Sequence, residues 1–293
     1  MSASVVVARR AAASDFLELT KPRITLMVVL TALVGYVMAS RSPVSAPRLG
    51  LALAGTALVA AGASALNMLL ERRTDALMLR THNRPLPAGR LRGPEVLVFG
   101  LAVTLAGLAV LRFGTSALAA AVALLTWSTY LFAYTPLKTR TSLSTVVGAF
   151  PGALPPVIGW AAARGQVEPG AVVLFAILFL WQIPHFLAIA WIYRDDYARG
   201  GLPMLPVLDP EGVVTGRQAV ANSLALLIVS VVPTVAGMAG AIYLGGAIAL
   251  GLAFTGVAVW AAVRRTAAAA RLLFLASVVY LPGLCTLLLL DRR

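Results

Sequence analysis

The chain has 293 residues, of which 60% are hydrophobic and only 12% charged, with a mean hydropathy of +0.89. A soluble domain is about 45–50% apolar and about 25% charged, so disordered, collagen-like and water-soluble globular classes are excluded and an integral membrane protein remains. The net charge of +13 does not point to nucleic acid, because Lys and Arg fall in short breaks between apolar runs, where they orient membrane helices.

Residues 1–23 form an N-terminal segment whose apolar run before Arg9 is too short for a secretory signal core, and this segment is expected in the cytoplasm. Nine apolar stretches near the bilayer-crossing length of about 20 residues follow: Ile24–Ser40, Gly50–Leu70, Val96–Leu111, Ser116–Tyr134, Leu143–Ala162, Gly170–Tyr193, Ala219–Met238, Gly240–Ala262 and Leu272–Leu290. Residues 24–293 thus read as one all-α domain, a polytopic bundle of nine transmembrane helices with no loop long enough for a soluble domain. Eighteen of the 24 Lys and Arg lie in the N-terminal segment and in the loops after even-numbered spans. That bias places the N-terminus in the cytoplasm and the C-terminus outside. The lone Cys285, inside an apolar run, excludes a disulfide framework and a thiolate metal cluster.

Nine of the eleven acids lie on the same side as the basic residues, although topology requires only the bases there. They concentrate after the second and sixth spans. At the first of these places, Asn67, Glu71 and Asp75 recur at i, i+4 and i+8, one face of a continuing helix. Three oxygen-bearing side chains on one stripe suit a hard cation such as Mg²⁺ that shares its ligands with phosphate. Arg72, Arg73, Arg80 and Arg84 stand close enough in sequence to hold phosphate oxygens. A solvated helix end with local Glu–Arg and Asp–Arg pairs is the competing reading. His82 reads as loop surface.

Only two of the 24 basic residues are lysine. Lys138 lies in Tyr134-Thr-Pro-Leu-Lys138, where a compact ammonium suits close approach to a phosphate and Pro136 is expected to break the helix. Lys21 precedes the first span in Thr-Lys-Pro-Arg23. Either lysine could instead simply set topology. The sixth span holds Trp181, Gln182, Pro184 and His185, and intramembrane polar groups default to functional readings. His185 suits metal coordination in an incoming ligand or proton transfer, against a structural histidine bonded to a carbonyl. Asp195, Asp196 and Tyr197 end that helix as Glu71 and Asp75 end the second. If the two ends face each other, four carboxylates enclose one spot, a cluster that requires cations.

Together these segments resemble the UbiA-type intramembrane prenyltransferases, over nearly the whole chain. The resemblance rests on Leu19-Thr-Lys21-Pro-Arg23, Asn67 through Asp75, Arg80-Thr-His-Asn-Arg84-Pro, Tyr134-Thr-Pro-Leu-Lys138, Trp181-Gln-Ile-Pro-His185-Phe, and Asp196-Tyr197 with Leu202-Pro-Met-Leu-Pro206. The Trp-Gln-x-Pro-His and Pro-Met-Leu-Pro stretches point to the branch of that family that prenylates haem. The chain departs from the family pattern with Glu71 in place of Asp, and with Arg73 at a position that is often Asp.

The resemblance implies farnesyl transfer from farnesyl diphosphate to a vinyl group of haem B, in a bacterial inner membrane, with the active site facing the cytoplasm. It implies Mg²⁺ held by Asn67, Glu71, Asp75, Asp195 and Asp196, and diphosphate held by Lys21, Arg72, Arg80, Arg84 and Lys138. Asp75, Tyr134, Lys138 and His185 are expected to serve the chemistry, with Trp181, His185 and Tyr197 around the haem. A downstream haem A synthase or an oxidase assembly factor is the expected partner. Another aromatic acceptor, of 4-hydroxybenzoate or chlorin type, and a haem transporter or carrier are the alternatives.

Overall fold

The computed structural model describes residues 13–40 and 43–293; the first twelve residues of the N-terminal segment, expected in the cytoplasm, lie outside the described residues. A short helix α1, Ala13–Leu19, precedes the first span. The described residues then hold nine helices long and apolar enough to cross a bilayer. They are α2 (Pro22–Ala39), α3 (Ala46–Leu77), α4 (Gly93–Gly114), α5 (Ala117–Leu137), α6 (Ser144–Arg164), α7 (Pro169–Ile192), α9 (Val213–Val235), α10 (Ala241–Arg264) and α11 (Ala267–Leu290), with the short α8 (Arg194–Arg199) following α7. Large apolar side chains such as Leu105, Phe113, Phe132, Ile228 and Ile242 are exposed on the outside of the bundle, a surface suited to lipid. This is a multi-pass membrane protein.

Helices outrun the apolar stretches because backbone hydrogen bonding continues past the hydrocarbon. α3 runs on to Leu77, so the Asn67–Glu71–Asp75 stripe is one helical face, as the spacing predicts. The seventh span starts at Val213, six residues before the expected Ala219. Asp209 prepares that start by accepting from the backbone N–H and hydroxyl of Thr215 at 2.7 and 2.9 Å.

The expected break at Pro136 does not occur. The last turns of α5 widen into a π-helix over Thr129–Tyr134, and the helix continues through Pro136 to Leu137. The wider turn changes which carbonyl each N–H meets, so a residue without an N–H is accommodated. The Thr135 hydroxyl donates to the Tyr130 carbonyl at 2.8 Å within this bulge.

Two close helix seams set the frame. α3 and α4 meet through Gly55, Gly62, Gly100 and Gly107. A Cβ on Gly62 would stand 2.7 Å from the Gly100 carbonyl oxygen, and one on Gly107 2.8 Å from that of Gly55. Small residues of this kind let membrane helices approach backbone to backbone. α2 packs as closely on α6, where Gly159 faces the Ala32 carbonyl. α7 packs against α6, α9 and α11. α1 is fixed by the fully buried Leu19, which packs with Ala65, Met68 and Val96. Arg90 adds to that anchor by pairing with Asp15 and Glu18 at 2.6 and 2.7 Å.

Candidate active site

The polar end of the bundle gathers α1 and the loops that follow α3, α5, α7 and α10. Asn67, Glu71 and Asp75 point inward from α3 with 1%, 8% and 0% exposure. Each meets one cation from a different segment. Lys21 donates to Asn67 Oδ1 at 2.8 Å, Lys138 donates to Glu71 Oε1 at 3.0 Å, and Arg84 donates to both oxygens of Asp75 at 2.8 and 2.7 Å. The Asn67 amide donates to Thr135 Oγ1 at 3.0 Å. A buried charge needs a partner and hydrogen bonds, and every polar member of the stripe has one.

Local backbone explains how the cations reach it. Lys21 sits at φ 46 between α1 and α2, a left-handed conformation that costs a non-glycine residue about 1–2 kcal/mol and turns its side chain toward α3. Burial pulls the Lys21 ammonium down to about 8, against the pull of Glu71. Lys138 is held above its ordinary value: burial opposes its charge, but Tyr134 and Glu71 beside it outweigh burial. The Lys138 ammonium also lies 5.9 Å from the Tyr134 ring centre. Tyr134 in turn stacks on Tyr130 with centroids 5.5 Å apart, and its ring lies against Gly148 of α6, where a Cβ would collide.

The two acidic helix ends are joined through the turn after α3. Asp196 accepts from the backbone N–H of Leu79 at 2.7 Å and of Arg80 at 3.1 Å, and from Arg199 at 2.6 Å. Burial raises its pKa, but the bond from Arg199 and those two N–H groups win and hold it below the ordinary aspartate value. The same turn is tied to the first stripe, because the Thr81 hydroxyl donates to the Asp75 carbonyl at 2.9 Å. Arg80 lies over the rings of Tyr193 and Tyr197, 5.0 and 5.8 Å from their centres.

The carboxylates therefore share a neighbourhood but do not gather at one point. Among the described residues no three His, Cys, Asp or Glu side chains stand close enough to hold a metal together. Glu71, Asp75 and Asp196 are neutralised separately, and Asp195, with 86% of its side chain exposed, pairs with Arg194 at 3.8 Å. Arg72 and Arg73 leave the stripe for the exposed face of α3, as one or two residues past Glu71 must on a helix. Tyr197 joins Arg80 at the polar end rather than the histidine. His82 is exposed, with Nδ1 2.7 Å from the Leu79 carbonyl.

A second constellation lies within α7. Trp181 and His185 stack with centroids 4.8 Å apart, and Phe186 and Phe274 flank the imidazole. Gln182 is buried against Gly152, where a Cβ would collide with its amide. Thr81, Thr135 and Ser277 are the site residues that sequence reasoning misses. Ser277 and Thr135 could have been flagged as hydroxyls inside or at the edge of apolar runs; nothing local marks Thr81.

The candidate site is thus a stripe of oxygen-bearing side chains on a buried helical face, covered by three cations and roofed by a tethered turn. It lies at one end of a bundle in which the described residues hold nine helices long enough to span a membrane, the layout of an intramembrane enzyme. The chain belongs to the UbiA prenyltransferase family, whose model matches residues 28–279. It is 47% identical over 287 residues to the protoheme IX farnesyltransferase of Solibacter usitatus, covering 95% of this chain and 98% of that one. The chain of a structure reported under digeranylgeranylglyceryl phosphate synthase superposes with a TM-score of 0.80 at 15% identity, over 95% of this chain and 97% of that one. The UbiA homologue of Archaeoglobus fulgidus bound to GPP and Mg²⁺ has the same fold, with a TM-score of 0.68 at 18% identity over 94% of this chain and 99% of that one.

Proposed function

We propose that this chain transfers the farnesyl group of farnesyl diphosphate to a vinyl group of haem B, giving haem O and diphosphate. The observation that carries the reading is near-full-length likeness at 47% identity to a protoheme IX farnesyltransferase. The stripe geometry supplies a chemistry for it.

Lys21, Lys138 and Arg84 carry three positive charges against the two of Glu71 and Asp75, so the site has room for an anion. An incoming diphosphate draws these cations from the carboxylates onto its own oxygens, which frees the oxygens of Asn67, Glu71 and Asp75 for a divalent ion. That all-oxygen set fits Mg²⁺. When bound, Mg²⁺ supplies positive charge to the departing diphosphate. Asp196 serves as a tether that shapes the turn over the site, and Asp195 and Arg72 contribute through the field at the polar end.

The allylic C–O bond breaks and its electron pair leaves with the diphosphate, which Lys138 and Arg84 stabilise. Tyr134 offers its ring to the allylic cation. The vinyl carbon forms the new C–C bond, water adds to the carbocation left on the porphyrin side chain, and one proton is released. Until then the apolar bundle shields the allylic cation from water. His185 and Trp181 hold the haem. We place the polar end in the cytoplasm of a bacterial cell membrane, since eighteen of the 24 basic residues lie on that side. Haem O then passes to a haem-oxidising enzyme or to an oxidase assembly factor.

The test supplies purified protein with Mg²⁺, haem B and allylic diphosphates of increasing length, with products identified by mass. Formation of haem O with farnesyl diphosphate is expected. Prenylation of 4-hydroxybenzoate but not of haem would overturn the assignment.

A further inference from the structure

Among the described residues His185 is hydrogen-bonded at one nitrogen only. Its Nδ1 lies 2.7 Å from the Ser277 hydroxyl oxygen on α11. That hydroxyl has a single proton, and the proton is directed to the Phe274 carbonyl at 2.5 Å. The serine oxygen must therefore accept from the ring, which makes Nδ1 the protonated nitrogen.

The opposite tautomer fails on the same count. It would require Ser277 to turn its proton to Nδ1, leaving an Nε2–H donor for which the described residues offer no acceptor. A charged imidazolium in an apolar span would need an anion beside it, yet the ring's neighbours are Trp181, Phe186, Phe274 and Ser277. Ser277 fixes the neighbouring ring as well, since its carbonyl accepts from Trp181 Nε1 at 2.8 Å. One fully buried residue of α11 thus sets both the tautomer of His185 and the plane of the indole stacked on it.

We propose that Ser277 is a positioning residue for the acceptor: it locks His185 as the Nδ1–H tautomer and so presents the Nε2 lone pair to the iron of haem B. This rests on the haem reading of the site. A nitrogen becomes a good axial ligand when its partner nitrogen donates to a fixed acceptor, and here a neutral hydroxyl plays that part in a span without acids. Trp181 supplies a flat face beside the ligand. Ser277 acts only through these two side chains.

The chain has just two histidines, so histidine labelled with ¹⁵N in membrane-reconstituted full-length protein yields two pairs of imidazole signals, and His185→Gln assigns them. Wild-type His185 is expected to show a protonated Nδ1 and a bare Nε2; a protonated Nε2 overturns the proposal before any variant is made. Ser277→Ala is expected to mix the tautomers and to weaken ferric haem B binding roughly tenfold with a changed Soret and EPR signature. Ser277→Thr, which keeps the oxygen, restores both. An unchanged tautomer and unchanged haem spectrum in Ser277→Ala overturn it. If instead the tautomer responds to Ser277 while His185→Gln binds haem with a wild-type spectrum, iron ligation by His185 fails although the tautomer lock stands.

Discussion

At the scale of single residues, the two lysines of the site behave in opposite ways. Lys21 is brought to about 8 by burial, whereas Lys138 is held charged by Tyr134 and Glu71. An anion that needs Lys21 charged must bind less well as pH rises through about 8. Diphosphate affinity of the wild type should therefore fall between pH 7 and 9, and Lys21→Arg, whose guanidinium stays charged, should lose that part of the fall in the same buffers. Titration calorimetry of both proteins reads the difference.

Asp196 makes a second prediction, with the opposite sign. Its carboxyl is held below the ordinary aspartate value, so its tether is complete above the unfolded-state value and is lost as pH falls through the lower native one. Hydrogen exchange at the amides of Leu79 and Arg80 should stay slow at neutral pH and in mild acid, and Asp196→Asn should lose that protection at neutral pH. The residues of the stripe were legible because a four-residue period survives translation from letters to a helix face. Their partners were not. Lys21 and Thr135 reach Asn67 from 46 and 68 positions away, and no local pattern records such contacts.

At the scale of the element, α5 departs from what its proline suggests. Pro136 suggests a broken helix, but the π-helix over Thr129–Tyr134 carries the chain past it. One extra residue in a turn rotates everything that follows by about 100°, and Tyr134, Thr135 and Lys138 all lie at or beyond the bulge. Deleting the lipid-facing Phe132 should restore an ordinary α-helix and turn Lys138 off Glu71. Haem O formation should drop on the order of 10²-fold, as displaced catalytic groups do, while the membrane-inserted fold persists by circular dichroism. The α3–α4 seam gives a stability prediction instead. Gly62→Ala places a Cβ 2.2 Å from the Thr104 hydroxyl oxygen, and such overpacking costs about 1–3 kcal/mol, read as a lower unfolding temperature in detergent. The glycines at 55, 62, 100 and 107 recur with a period of seven, a signal present in the letters that apolar-run counting passes over.

The whole molecule sets where the chemistry happens. Nine apolar runs suffice to count the spans, because length and hydropathy decide what crosses a bilayer, while helix ends shift by up to seven residues, as where α3 continues to Leu77. The two acidic ends are joined, but not as one cluster. The charge pattern suggested one cluster of four carboxylates, whereas the folded chain pairs each acid with its own donors and joins the ends through the turn from Met78 to Thr81. The basic bias predicts that alkaline phosphatase fused after Arg293 is active and a fluorescent protein there is dark; the reverse pattern would invert the bundle.

The most direct test of the site is mass-resolved haem O formation from farnesyl diphosphate and haem B by purified wild type, Asp75→Ala and Lys138→Ala, with Mg²⁺ present. Each substitution removes one side of the proposed exchange of cations between carboxylate and diphosphate, so each should lower turnover by about 10²-fold or more. Wild-type rates in either variant would contradict the site described above.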